Sequence, residues 1–284
     1  TRFMGDKAYV VTYKTVDPLF VIDLTKPTEP KVLGELKIPG YSSYLHPLGE
    51  NYLIGFGEDS VEKSYINWEG EQEVTAYATG LKMAIFDVSD YSNPKEIHSI
   101  KIGARGSYSE LLYNHKALLF NEEEGIIAFP AIVTEEAGTY DNGVPMYGNV
   151  IFSGALVYDI SAEDGIELRG KISHGSKDKY SNQIQRIIYI GDKLYTVSDN
   201  MIKASDIETV KEEVQFGLVT DVHEYQAYNI WYDGHAQSKG FPTKNGSGVA
   251  ALMYDQMGIS SQSPYKEAAW DFIQFYLEEQ EFYH

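Results

Sequence analysis

His223-Glu224 opens the His-Glu-x-x-His pattern that sets two imidazoles on one helix face around zinc, but Ala227 stands where the second histidine is required. The other histidines, His46, His98, His115, His174, His235 and His284, have no such spacing either. Gly106-Ser107-Tyr108-Ser109-Glu110 lacks the closing glycine of a nucleophile elbow, and Gly246-Ser247-Gly248 reads as a flexible turn, so no serine stands out as a nucleophile. The chain has no cysteine, which removes disulfides, thiolate metal sites and a cysteine nucleophile together. Paired carboxylates are the machinery of glycoside hydrolysis, but 42 Asp and Glu residues make chance pairs unavoidable. Asp141-Asn142-Gly143 has the residue types of a calcium loop without its ligand spacing. The expectation is a chain with no catalytic residue, no resident metal and no cofactor, whose work is binding.

Residues suited to binding are easier to find. His46 directly follows the apolar segment Tyr44-Leu45, Arg105, Glu110 and His115 come ahead of Ala117-Leu118-Leu119-Phe120, and Arg186 opens Arg186-Ile187-Ile188-Tyr189-Ile190. Where such segments share an axis, their polar side chains converge on a funnel for a small polar ligand or peptide. The alternative is mutual pairing, Arg105 with Glu110 for instance, which pins neighbouring elements together. Two long connections add aromatic rings: residues 58 to 80 carry Tyr65, Trp68 and Tyr77 among acids, and residues 134 to 150 carry Tyr140, Met146 and Tyr147 among Gly and Asn. Long connections on a rigid scaffold commonly carry binding residues. Trp68 and Tyr140 are the leading candidates, for a sugar ring or a protein partner, against self-packing of the loops.

What must position these residues is a repeat. Leu19-Phe20-Val21-Ile22-Asp23-Leu24, Met83-Ala84-Ile85-Phe86-Asp87-Val88 and Ala155-Leu156-Val157-Tyr158-Asp159-Ile160 are the same phrase, an apolar run closed by Asp, and Ile202-Lys203-Ala204-Ser205-Asp206 is a fainter fourth copy. Pro30 and Lys37 follow Asp23 by 7 and 14 residues, as Pro94 and Lys101 follow Asp87, whereas the third copy reaches Lys171 two residues early. Upstream of each phrase lies a turn and a short strand, such as Gly5-Asp6-Lys7-Ala8-Tyr9-Val10-Val11 and the nearly identical Gly191-Asp192-Lys193-Leu194-Tyr195-Thr196-Val197. Hairpin-length turns join these to the apolar segments before them, giving four strands per unit. Asp23, Asp87 and Asp159 are expected to accept backbone hydrogen bonds in the turn that follows, a structural role. Small antiparallel sheets repeated along a chain are the signature of a β-propeller. The fold class is therefore all-β, with blades over residues 1–40, 41–103, 104–173 and 174–217, and four blades are expected either to close or to belong to a larger ring.

Residues 1 to 217 resemble the bacterial and archaeal secreted proteins with a C-terminal β-propeller domain, on Arg2-Phe3-Met4-Gly5-Asp6 to Gly40, Tyr44-Leu45-His46-Pro47, Arg105-Gly106-Ser107 with Glu110, Asn114-His115-Lys116-Ala117, and Tyr189-Ile190-Gly191-Asp192 to Met201-Ile202-Lys203. The resemblance implies an extracytoplasmic or surface-anchored protein and names no activity. The tail, 218–284, breaks the repeat; Ser263 and Pro264 suit a helix start, and the spacing of Ala268, Ala269, Phe272, Ile273, Tyr276 and Leu277 predicts a helix over 264–281. From about residue 225 that tail is similar to the C-terminal region of sugar-type ABC transporter solute-binding proteins, which implies, as a rival function, a carbohydrate-uptake component using Trp270. A surface glycan or peptide hydrolase is the second rival.

Charge narrows the partners. A formal net charge of −19 repels nucleic acid phosphates and anionic membrane surfaces, and no apolar run approaches the ~20 residues that span a bilayer. No signal peptide is visible and Thr1 falls in mid-repeat, as expected of a processed or truncated piece. The expected partners are a protein or carbohydrate at the cell surface, and open blade edges are expected to promote self-association.

Overall fold

A computed structural model describes residues 1–12, 17–38, 40–66, 68–175, 183–199, 201–219, 256–257, 267 and 270. The strands form sequential antiparallel meanders. The first sheet is β1 (Arg2–Met4), β2 (Lys7–Val11), β3 (Asp17–Asp23) and β4 (Lys31–Ile38); the second is β5 (Tyr41–Leu48), β6 (Tyr52–Ile66), β7 (Gln72–Asp87) and β8 (Lys95–Ile102). The third is β9 (Leu119–Asn121), β10 (Ile126–Thr134), β11 (Val150–Ser161) and β12 (Gly165–Ile172). The fourth is β13 (Arg186–Ile190), β14 (Lys193–Val197), β15 (Met201–Asp206) and β16 (Glu212–Val219), to which the two-residue β17 (Gln256–Met257) adds. Backbone contacts divide the chain into Thr1–Ser181, with the first three sheets, and Asn182–His284, with the fourth. The tail segment expected to be helical lies outside the described residues except for Glu267 and Trp270.

The four sheets repeat in detail. Each first-to-second-strand turn holds a glycine at positive φ, Gly5, Gly49, Gly125 and Gly191 at 56°, 62°, 60° and 58°, a conformation that a Cβ disfavours. The residue after each phrase-closing Asp returns to that turn: Leu24 N–H donates to the Asp6 carbonyl, Val88 to Asn51, Ile160 to Gly125 and Ile207 to Asp192, all at 2.8 to 2.9 Å. A bulge between third and fourth strands falls at one place in every copy, between Val21 and Ile22, Ile85 and Phe86, Val157 and Tyr158, and Ala204 and Ser205, immediately ahead of the Asp.

The uninterrupted apolar runs exist because a middle sheet is buried on both faces. Alternate strand residues face opposite ways. In the second sheet Leu53, Ala84 and Phe86 join Tyr9, Leu19 and Val21 of the first sheet in one core. Their neighbours Ile54, Phe56, Met83 and Ile85 join Phe129, Leu156 and Tyr158 of the third in another. The Phe56 ring meets Phe129 edge-on at 4.6 Å, and Phe129 stacks on Tyr158 at 5.9 Å. Each fully buried side chain of this size contributes about 1.5–3 kcal/mol relative to exposure. Gly34 on β4 allows the turn after Asp87 to dock, since a Cβ there would lie 2.3 Å from the Tyr91 carbonyl oxygen.

The turn role expected of the phrase-closing acids holds for Asp23 and Asp87. Asp23 accepts from Thr25 N–H and Oγ1 at 3.2 and 3.0 Å, and Asp87 from Ser89 N–H at 2.9 Å. Asp206 of the fourth copy does likewise with Thr209 at 2.8 and 2.7 Å. These bonds hold all three carboxyls below their ordinary pKa, with Thr25, Ser89 and Thr209 the leading causes. Asp159 departs from the expectation. It pairs with Arg169, whose Nε donates at 2.8 Å from β12, so in the copy with the shortened spacing an ion pair replaces the turn bond.

Candidate functional site

The first strands of the first three sheets bring polar side chains together. Arg2 comes from β1, Tyr44 and His46 from β5, and Phe120 from β9, with His115 in the 3₁₀ turn His115–Ala117 just ahead of β9. Tyr44 and His46 are two apart and so share the face of β5 turned towards the third sheet, while Leu45 between them packs into the core with the first. The Tyr44 hydroxyl lies 2.9 Å from His46 Nδ1, the His46 ring meets Phe120 edge-on at 4.6 Å, and Tyr44 stacks on His115 at 6.5 Å. Burial, reinforced by the Arg2 charge and opposed by Glu122, pushes the His46 imidazole down to about 4. It is therefore neutral at physiological pH. Arg2 Nε is buried with no hydrogen-bond partner among the described residues.

The cluster contains two of the expected funnel residues, His46 and His115, and adds Arg2 and Tyr44, which sequence reasoning did not single out. Arg105 and Glu110 do not join it, nor do they pair with each other. Arg105 donates to the Pro145 carbonyl at 2.6 Å and lies over the rings of Tyr147 and Tyr77, 4.4 and 5.2 Å from their centres. It therefore clasps the two aromatic-bearing connections, 58–80 and 134–150, to each other. Glu110 is occupied by Asn114 Nδ2 at 3.1 Å and the Tyr108 hydroxyl at 3.3 Å. Arg186 belongs to the fourth sheet, where its side chain is exposed and donates to the Gln185 carbonyl at 2.7 Å.

Residues 58–80 are not the loop that their polar composition suggests. β6 and β7 run on past the sheet as one long hairpin, paired from Tyr52 with Asp87 out to Ile66 with Gln72. β5 accompanies β6 only as far as Glu58, and β8 accompanies β7 only from Leu81. Beyond those points the hairpin is a two-stranded arm with no further strand beside it among the described residues. Cross-strand bonds hold it: Tyr65 to Glu73 at 2.6 Å and Thr79 to Asp59 at 2.7 Å. Trp68, at the tip, is 92% exposed and Ile66 is 74% exposed, with Tyr65 and Val74 also uncovered. Tyr140 is exposed on the 134–150 connection, in a turn closed by Gly143 N–H donating to the Tyr140 carbonyl at 2.7 Å. Among the described residues no group of three His, Asp or Glu side chains is placed to hold a metal ion.

Comparison with known proteins follows the sheets rather than any chemistry. An uncharacterized protein of Methanocaldococcus jannaschii is 38% identical over 197 residues, 69% of this chain and 24% of that protein. An uncharacterized protein of Archaeoglobus fulgidus is 33% identical over 205 residues, 72% of this chain and 25% of its own length. The chain thus spans about a quarter of the curated relatives it matches. Among solved structures, cobalt-substituted Synechocystis ACO aligns with 74% of this chain and 46% of its own at 12% identity and a TM-score of 0.37, too distant to carry any detail across. The family model for a beta propeller domain matches residues 1–210, and together with the repeated bulges, turns and glycines this establishes that the chain belongs to the beta propeller domain family.

Proposed function

We propose that this chain is a non-catalytic, extracytoplasmic interaction module, in which packed blades form a stiff base and the β6–β7 arm captures a protein partner. The observation that carries the reading is the arm itself, a ribbon that no other strand among the described residues pairs with beyond Glu58 and Leu81, with Trp68 fully displayed at its end. Exposed tryptophan beside apolar neighbours is the composition of an interface anchor, and unaccompanied strand edges accept an extended segment by main-chain pairing. The net charge of −19 favours a partner segment that is basic as well as apolar. Placement outside the cytoplasm draws its support from the resemblance to secreted propeller proteins.

Selection of phage-displayed random peptides on the immobilised chain tests this. Enriched sequences should combine Lys or Arg with a large apolar residue and should lose binding to Trp68→Ser, while Phe3→Ser, an exposed control on the first sheet, keeps it. Failure to enrich any peptide that discriminates Trp68→Ser from the control would refute the reading.

A further inference from the structure

We propose a second binding site, for a small carboxylate, formed by Arg2, Tyr44 and His46 where the first strands of the first three sheets meet. It is independent of the arm and lies wholly within Thr1–Ser181. The unmet need is on Arg2. Its Nε is buried without a partner, and no ion pair among the described residues includes its guanidinium. A buried donor left open costs free energy unless something arrives to accept from it. Glu122, the acid whose charge is felt at His46, has Oε1 taken by Gly49 N–H at 2.8 Å. The free Nε marks the edge of the guanidinium where two N–H groups point the same way, and a carboxylate occupies that edge with both oxygens.

The surroundings select the charge. His46 is held neutral beside the Tyr44 hydroxyl, so the two supply hydrogen-bonding capacity without a second positive charge. Phe120 and the His115 ring wall the site with aromatic surface. Arg2 is the cation felt at Tyr44 and His46, and the Glu122 carboxylate already sets one negative charge nearby, so the site takes no more than a single further negative charge. A phosphate dianion would leave one charge unmatched in a chain whose net charge is −19.

The test is an NMR titration of the 284-residue chain with sodium acetate at constant ionic strength, following the imidazole of His46 and the ring of Tyr44. A saturable shift at millimolar acetate is expected, abolished by Arg2→Gln and weakened about tenfold by Arg2→Lys, which keeps the charge but loses the two-pronged contact. Tyr44→Phe, which retains the ring on His115, is expected to weaken binding several-fold and keeps the test decisive if Arg2→Gln fails to fold. Inorganic phosphate, the second probe, is expected to bind more weakly than acetate, and tighter phosphate binding would overturn the assignment to a carboxylate. No saturable shift, or an equal shift in Arg2→Gln, would overturn the site, whereas Trp68→Ser should leave the acetate titration unchanged whatever the fate of the arm.

Discussion

If the second sheet is buried on both faces, coupling between its side chains and the third sheet must obey strand alternation, and the pair Phe56 and Phe129 measures it. Phe56 is 1% exposed, and its ring meets Phe129 at 4.6 Å with an interplanar angle of 62°. Truncation to alanine removes a fully buried ring and leaves a cavity, so Phe56→Ala and Phe129→Ala should each cost about 3–5 kcal/mol. Because their rings touch edge to face, the double mutant should be less destabilised than the sum by about 0.5–1.5 kcal/mol. Phe86 is the internal control. It is equally buried and in the same sheet, yet it packs into the core shared with the first sheet, so Phe86→Ala combined with Phe129→Ala should add to within about 0.5 kcal/mol. Urea unfolding followed by tyrosine and tryptophan fluorescence supplies the free energies. Equal coupling of Phe129 to Phe56 and Phe86, or coupling to Phe86 alone, would refute the two-faced packing.

The remaining expectations are narrower. Arg105→Ala removes the Pro145 bond and both ring contacts, so amides of residues 134–150 should exchange hydrogen faster with the blade core unchanged; unaltered exchange would show that the clasp does not hold these connections. Gly34→Ala places a Cβ 2.3 Å from the Tyr91 carbonyl oxygen and should destabilise by about 1–3 kcal/mol in thermal unfolding, whereas an unchanged midpoint would contradict the close approach. Folding lowers the His46 pKa from 6.5 to about 4, so the unfolded chain binds the proton more readily; this contribution is intact above pH 6.5 and is lost as pH falls towards 4. Asp23, Asp87 and Asp206, also lowered, add stability present above their unfolded value of 3.8 and lost below it. Unfolding measured from pH 7 to pH 3 should show both losses, and His46→Phe should remove the upper one.

The blades were legible because their signal is local and doubled. A run such as Met83-Ala84-Ile85-Phe86 is apolar at every position only if both faces are buried, and the Asp and the Gly turn mark its ends. The arm was not legible, because Ser60–Ile66 and Gln72–Ala78 bury no continuous face; cross-strand pairs hold them, and their sequence reads as a polar loop. The Arg105–Glu110 pairing failed for a related reason. Nearness in sequence suggests it, but Glu110 is taken by Asn114 four residues on, while the rings that receive Arg105 come from distant connections. Arg2 opens the motif Arg2-Phe3-Met4-Gly5-Asp6, yet an unmet Nε is a property of three strands meeting and has no trace in a linear pattern. Asp159 alone left a hint, the two-residue shortening that sets Arg169 beside it.

Ring-to-ring nuclear Overhauser contacts test the stacking of sheets most directly. Phe56 should show strong contacts to Phe129 and none to Tyr9 or Val21 of the first sheet, while Phe86 shows the reverse preference. Contacts from Phe56 to the first sheet, or from both rings to one neighbour alone, would contradict a middle sheet shared between two cores.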